Sequence, residues 1–342
     1  MTSKSALLTG AAAFLFALLA GCQGKPQARG ESSAIIVVAT DSLWQQVEES
    51  VRRALEPTIT TVRDERTFDL TQVSPQHPNW TTLRQFKQVL VLGHAGDDWV
   101  APVLGTRTSP AGPFLTDAPN VWARNQLVTA VVLPEGDPAA ALQGALPPLA
   151  ARLDSLYRVY ARRRMYVSEP DLALRDTLAA RAGFSILLPQ VYHPERTDSV
   201  YSFVNWTRSG DDLRRTITVT SRPGVDSTLT AEAVLAWRQH VHQDWRVPQT
   251  TQPEPLTVHP VAQGAARAME VQGVWNGTDP QVPMAGPFLT RVVPCPAQNR
   301  TFLVDAWLYA PAKKKYEYMI QLETLLDTFR CGDDAVAPSP VV

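Results

Sequence analysis

The chain has 342 residues, 44% of them apolar and 19% charged, with 32 basic and 33 acidic side chains and three cysteines. That apolar fraction excludes a disordered chain, and three cysteines at this length exclude a disulfide-dense miniprotein. The near-neutral balance excludes the basic footprint of a nucleic-acid binder, so no nucleic acid is expected among the partners.

Lys4 gives a positive start, and residues 6–20 form an apolar run that falls short of the ~20 residues a membrane helix needs. The run reads as the hydrophobic part of a secretory signal peptide over residues 1–21. It ends in Leu19-Ala20-Gly21-Cys22, which resembles a bacterial lipobox. Small residues suit the peptidase, and a thiol can take a diacylglyceryl group as a thioether. Cys22 is therefore the candidate lipidation site and mature N-terminus, and the membrane is an expected partner through its acyl chains. Each buried methylene adds about 0.8 kcal/mol, so two or three chains make the anchor effectively permanent. Gln23 is not an aspartate, which by resemblance to Gram-negative lipoproteins implies the outer membrane, and the lack of an acidic cluster after Cys22 favours a domain facing the periplasm. Residues 22–33 are polar and Gly/Pro-containing and read as a flexible tether.

Residues 34–165 read as a first α/β domain. The continuous apolar run 34–38 predicts a buried strand, and Asp41-Ser42 offers an N-cap to a helix that presents Leu43, Val47 and Val51 on one face. Strands follow over 68–73, 89–93 and 127–133, with a short helix at 81–87 and a Gly/Pro-rich excursion over 95–120. A long helix over 139–165 should break or kink at Pro147-Pro148. Alternating strands and helices argue for an α/β layer architecture.

Residues 166–332 read as a second α/β domain whose sheet is mainly antiparallel and covered by helices. A helix over 170–182 ends at Gly183, and strands over 184–188, 201–207 and 213–220 follow as a meander. Thr230 caps a helix to 245. Four more strands fall near 256–261, 267–275, 288–294 and 301–309. The last helix, 313–329, carries Met319, Leu322, Leu326 and Phe329 on one stripe. Residues 333–342 read as a disordered tail.

Cys295 and Cys331 are the thiols left to a chain bound for an oxidising compartment. A bridge between them would pin the terminal helix to the sheet and contribute roughly 3 to 4 kcal/mol in the chain-entropy model. Two unpaired thiols remain the alternative, because the spacing supplies no distance.

His94, Asp97 and Asp98 follow a buried strand, where α/β folds place ligands, and could do acid–base work or bind a metal. A Gly/Asp turn without function explains the same residues. His240 and His242 stand about 200° apart on a helix, which disfavours a shared zinc ion. No nucleophile elbow, phosphate loop, zinc motif or dinucleotide fingerprint occurs, so no catalytic residue, metal site or cofactor is assigned. Arg162-Arg163-Arg164 and Lys313-Lys314-Lys315 could meet anionic headgroups, although a solvated helix end accounts for each. Among the nine tryptophans, those at 206, 275 and 307 fall in strands and suit a core. Trp80, Trp99 and Trp122 lie in or beside loops and form a candidate ligand surface for an envelope protein or glycan.

Asn120-Val121-Trp122-Ala123 with Gln126-Leu127-Val128, Gly273-Val274-Trp275, Met284-Ala285-Gly286-Pro287-Phe288 and Tyr309-Ala310-Pro311 resemble a Bacteroidota lipoprotein family, domain of unknown function 4837. The likeness runs over about 34–330, and Asn125 departs from a proline in the family pattern. It implies an identity without an activity. Gly183-Phe184-Ser185 and the last helix also resemble the PsbP-like fold. The function expected is that of a non-catalytic, outer-membrane-anchored binding or envelope-structural protein. The alternative is a periplasmic hydrolase or metal-dependent enzyme centred on His94, Asp97 and Asp98.

Overall fold

The computed structural model describes residues 24–59, 61–108, 112–207, 212–226, 228–243, 247–264, 266–311 and 313–335. Cys22 and the signal segment lie outside them. In chain order the first stretch runs β1 (Ala34–Val38), α1 (Asp41–Leu55), β2 (Thr58–Ile59), β3 (Glu65–Arg66), β4 (Asp69–Val73), α2 (Trp80–Leu83), β5 (Gln88–His94), α3 (Ala101–Leu104), β6 (Phe114–Pro119), β7 (Leu127–Leu133) and α4 (Pro138–Met165). The remainder runs α5 (Leu172–Ala182), β8 (Phe184–Ser185), β9 (His193–Thr197), β10 (Val200–Thr207), β11 (Leu213–Pro223), α6 (Ala231–His242), β12 (Gln249–Thr251), β13 (Thr257–Gln263), β14 (Ala266–Gly277), β15 (Ala285–Cys295), β16 (Arg300–Tyr309), α7 (Tyr316–Asp327) and β17 (Arg330–Cys331). The fold class is mixed α/β in two units.

The chain divides at 151/152 rather than 165/166, inside α4, and residues 57–67 with the β2–β3 hairpin join the second unit. In that unit Glu65 accepts from the Lys315 ammonium and backbone N–H. Lys315 is thus buried in an ion pair and is no solvated helix end. α4 also runs through Pro147 and Pro148 as one helix instead of breaking there.

The first unit holds a five-stranded sheet in the order β4-β1-β5-β7-β6, parallel except for β6. Residues 35–38 and 89–92 are buried on both faces, which explains their continuous apolar runs. The side chains of Ile36, Val91, Val128 and Val132 pack on Trp80, Val100, Val103 and Leu104. Thr40, one residue before the expected cap, accepts the Leu43 N–H and starts α1. Edge strand β6 falls inside the stretch read as a loop, antiparallel to β7 from Phe114↔Val132 to Pro119↔Leu127.

Residues 26–33 are not a free tether. Ala28 donates to the Arg124 carbonyl (2.9 Å), Arg29 donates to the Gln85 carbonyl, and Lys87 donates back to the Arg29 carbonyl. Ala28, Ser32 and Ser33 are buried.

The second unit is built on a twisted antiparallel sheet in the order β12-β14-β15-β16-β11-β10-β9, with β13 also on β14. One face packs Phe203, Ile217, Val304, Ala306 and Leu308 against Leu322, Leu325 and Leu326 of α7. The other carries Val271, Trp275, Phe288 and Trp307 under Val234 of α6. Thr230 caps α6 by accepting the Ala233 N–H. Ala335, within the expected tail, is buried; residues 336–342 lie outside the described set.

Candidate functional site

The loop at the end of β5 does not assemble an acid–base pair. Asp97 accepts the His94 backbone N–H (2.8 Å), and His94 Nδ1 meets the Leu133 carbonyl (3.1 Å). Asp97 therefore closes the turn, the His94 ring ties the end of β5 to the end of β7, and Asp98 is exposed. Gly93 is required here: a Cβ would lie 2.5 Å from Asp97 Oδ2. No group of three His, Cys, Asp or Glu that could hold a metal occurs among the described residues.

The three loop tryptophans point inward, which corrects the expected ligand surface. Trp80 is only 9% exposed and meets Trp122 edge-to-face at 5.3 Å. Trp99 Nε1 donates to the Leu92 carbonyl (3.1 Å). Trp99 and Trp122 are half-buried against the same core. Among the described residues the exposed indole is instead Trp206, 40% accessible, whose Nε1 donates to Asp212.

A groove of about 810 Å³ opens in the second unit where α5 ends. Its apolar floor includes Phe184, Val219 and Phe302, and polar side chains from the β9–β10 turn, β11 and the β15–β16 turn surround it. Three features hold this corner. Gly183 adopts a left-handed φ of 73°, and its carbonyl accepts from Gln298 Nε2 (2.7 Å). A Cβ at 183 would approach that nitrogen to 2.5 Å, so glycine is demanded by both conformation and space. Cys295, ending β15, is disulfide-bonded to Cys331 with the Cα atoms 6.2 Å apart. Cys331 in turn pairs with Phe184 in the β8–β17 ladder. The bridge thus secures the strand that supplies part of the floor. Tyr201 lines the groove with its ring edge-to-face on Phe184 at 5.2 Å.

Under α6 lies a fully buried ionic cluster. Asp305 on β16 accepts from Arg238 Nε (2.9 Å) and contacts His242 Nε2 (2.7 Å), and the Thr290 hydroxyl donates to it. Arg238 also donates to Gln249 Oε1 (2.7 Å), and its guanidinium sits 4.0 Å from the Phe288 ring centroid. Burial alone would raise the Asp305 carboxyl; the Arg238 charge and the His242 and Thr290 hydrogen bonds outweigh it and bring the group down to about 2. Burial pushes the His242 imidazole below its ordinary value, against the pull of Asp305. With no solvent access, this cluster joins helix to sheet. The sequence signal for it was the i, i+4 spacing of Arg238 and His242, opposite a lone carboxylate inside the apolar strand β16.

On the other face, Arg291 donates to Glu270 (2.6 Å), Gln263 (2.9 Å) and Asp327 (2.7 Å), tying β14 and β15 to the end of α7.

No curated protein matches the chain in sequence. Among solved structures, a Saccharomyces cerevisiae Ran-binding protein Mog1p is similar at 12% identity over 45% of this chain and 94% of that one, with a TM-score of 0.31. A Mog1 E65A mutant is similar at 10% identity over 45% and 93%, with a TM-score of 0.30. LpqN of Mycobacterium tuberculosis, described as involved in cell envelope biogenesis, is similar at 11% identity over 42% and 79%, with a TM-score of 0.27. Residues 28–146 match a domain of unknown function, DUF8532, so the Asn120–Gln126 motif falls in that family's span and not in the one to which the sequence likeness assigned it. Residues 171–328, which hold the groove's α5–β8 corner and both ionic clusters, match the family described as Domain of unknown function (DUF4837).

Proposed function

We propose that this protein is a lipid-anchored envelope protein that acts by binding through its second unit. The groove at Tyr201 and Phe302 is the observation that carries the reading: it has the size of a ligand cleft, an aromatic and polar lining, and a disulfide-secured wall. His94, Asp97 and Asp98 do not support the enzymatic alternative, because the Asp97 carboxylate closes its own turn, the His94 ring is tied to the Leu133 carbonyl on β7, and Asp98 faces solvent. The lipobox-like Leu19-Ala20-Gly21-Cys22 supports the anchor, Gln23 supports the outer membrane, and the lack of an acidic cluster after Cys22 supports a periplasmic orientation.

Two measurements test the two halves of the proposal. Labelled palmitate is expected in the wild-type protein and lost in Cys22→Ser, which should move to the soluble fraction. An unlabelled, soluble wild type overturns the anchor. A photo-crosslinking residue placed at Tyr201 is expected to capture an envelope component in intact cells. No adduct there, or a hydrolytic turnover abolished by His94→Ala, overturns the binding reading.

A further inference from the structure

Several arginines of the second unit are spent on carboxylates. Arg175 is held by Asp176, Arg196 by Asp198, Arg214 by Glu195, Arg238 by Asp305 and Arg291 by Glu270. Two arginines of the groove are not. Arg181, in the last turn of α5, and Arg300, at the start of β16, both line it and both are exposed. Neither has a hydrogen-bond or ion-pair partner among the described residues. The carboxylate in the same lining, Asp198, is engaged by the Val200 N–H (3.0 Å) and the Arg196 guanidinium (3.2 Å), which hold it below the usual carboxylate range. The groove therefore presents two uncommitted guanidinium groups and one neutralised acid.

We infer that this groove binds an acidic saccharide, with Arg181 and Arg300 receiving its carboxylate or phosphate. The inference rests on the binding role proposed above and specifies its ligand. A guanidinium is a planar fork that matches a carboxylate or phosphate with two parallel hydrogen bonds. The remaining lining is of the kind that meets sugar hydroxyls and ring faces: the Tyr201 ring and the Thr220 and Ser221 side chains. An acidic peptide fits less well. Peptides gain affinity by adding a strand to an open edge. In the groove wall β10, β11 and β16 are flanked on both sides within the large sheet, and β8, paired with β17 alone, is only two residues long.

Calorimetric titration of the detergent-solubilised full chain tests this with four probes: an oligogalacturonate, a phosphorylated oligosaccharide, neutral maltotriose and a tri-glutamate peptide. One or both acidic saccharides are expected to bind below about 1 mM, and maltotriose is not. A charge-assisted hydrogen bond lost in Arg181→Ala or Arg300→Ala should weaken that binding by about 10-fold or more, with the double variant weaker still. Both side chains are exposed, so the variants should keep the wild-type thermal transition. The carboxylate and phosphate arms tell the two anion sources apart. The inference is overturned by no saccharide binding, by binding that ignores the double variant, or by equal affinity for tri-glutamate. If the saccharides fail while the Tyr201 crosslink still captures an envelope component, only the ligand assignment falls; if the crosslink fails too, the binding role falls with it.

Discussion

In the first unit the buried polar residues among those described are Ser32, Ser33, Thr116, Gln126 and Thr129, all uncharged, whereas the second encloses Arg214, Arg238, Glu270, Arg291 and Asp305. In the first unit Thr129 pairs with Asp117 of the edge strand, and Gln126 serves the backbone. Gln126 accepts from the Trp122 and Ala123 N–H groups and donates to the Arg84 and Phe86 carbonyls, closing a loop with one amide. In the second unit polarity docks helices: Arg238 joins α6 to β16, and Arg291 joins β15 to the end of α7. Apolar packing tolerates sliding more readily than a buried ion pair does, so such pairs suit a helix that must lie at one place on a broad sheet. The two units should consequently fail under different insults.

The largest expected difference comes from Asp305→Asn. It leaves Arg238 buried without its counter-charge, a loss of about 3–5 kcal/mol. Hydrogen exchange read peptide by peptide should show protection falling across β11, β14, β15 and β16 and α6, and unchanged in β1, β5 and β7. Equal loss in both units would erase the contrast. Acid should sharpen it next. His242 has a folded value below its unfolded one of about 6.5, so the unfolded state binds the extra proton and the second unit weakens as pH falls below that point. Asp305 adds a further loss from about 4 down toward 2, where its carboxyl finally protonates in the fold. A denaturant midpoint of the second unit that stays flat between pH 7 and 4 would remove the imidazole from this account. The smallest effect is expected from Asp97→Ala, which costs the first unit about 1 kcal/mol through one turn hydrogen bond. It should leave saccharide and crosslink readouts untouched.

The parallel strands of the first unit were legible because burial on both faces writes an unbroken apolar run, as at Ile35 to Val38 and Val89 to Leu92. Edge strand β6 was not, since Phe-Leu-Thr-Asp-Ala-Pro pairs on one side with β7 and carries no alternation. The inward turn of Trp80, Trp99 and Trp122 depended on tertiary contacts that chain position does not encode. Asp305 was legible in principle: a carboxylate within Phe302-Leu303-Val304-Asp305-Ala306-Trp307 has to find a cation, and Arg238 with His242 share one helical face. His240, two residues before His242, masks that pairing in the sequence. The groove was invisible to sequence because Arg181, Tyr201 and Arg300 come from three separated elements.

The strapping of residues 26–33 along the first unit changes what an anchor at Cys22 implies. A free tether through residue 33 could reach roughly 40 Å when extended, more than the thickness of the hydrocarbon layer itself. The backbone is already bound at Pro26, whose carbonyl accepts the Arg124 N–H (2.7 Å), leaving a leash of at most about 14 Å. An acylated Cys22 would hold the first unit within headgroup distance of the bilayer, and the surface around Lys25, Arg124 and Asn120 would be its footing. A first unit anchored in this way would stay close to the membrane plane.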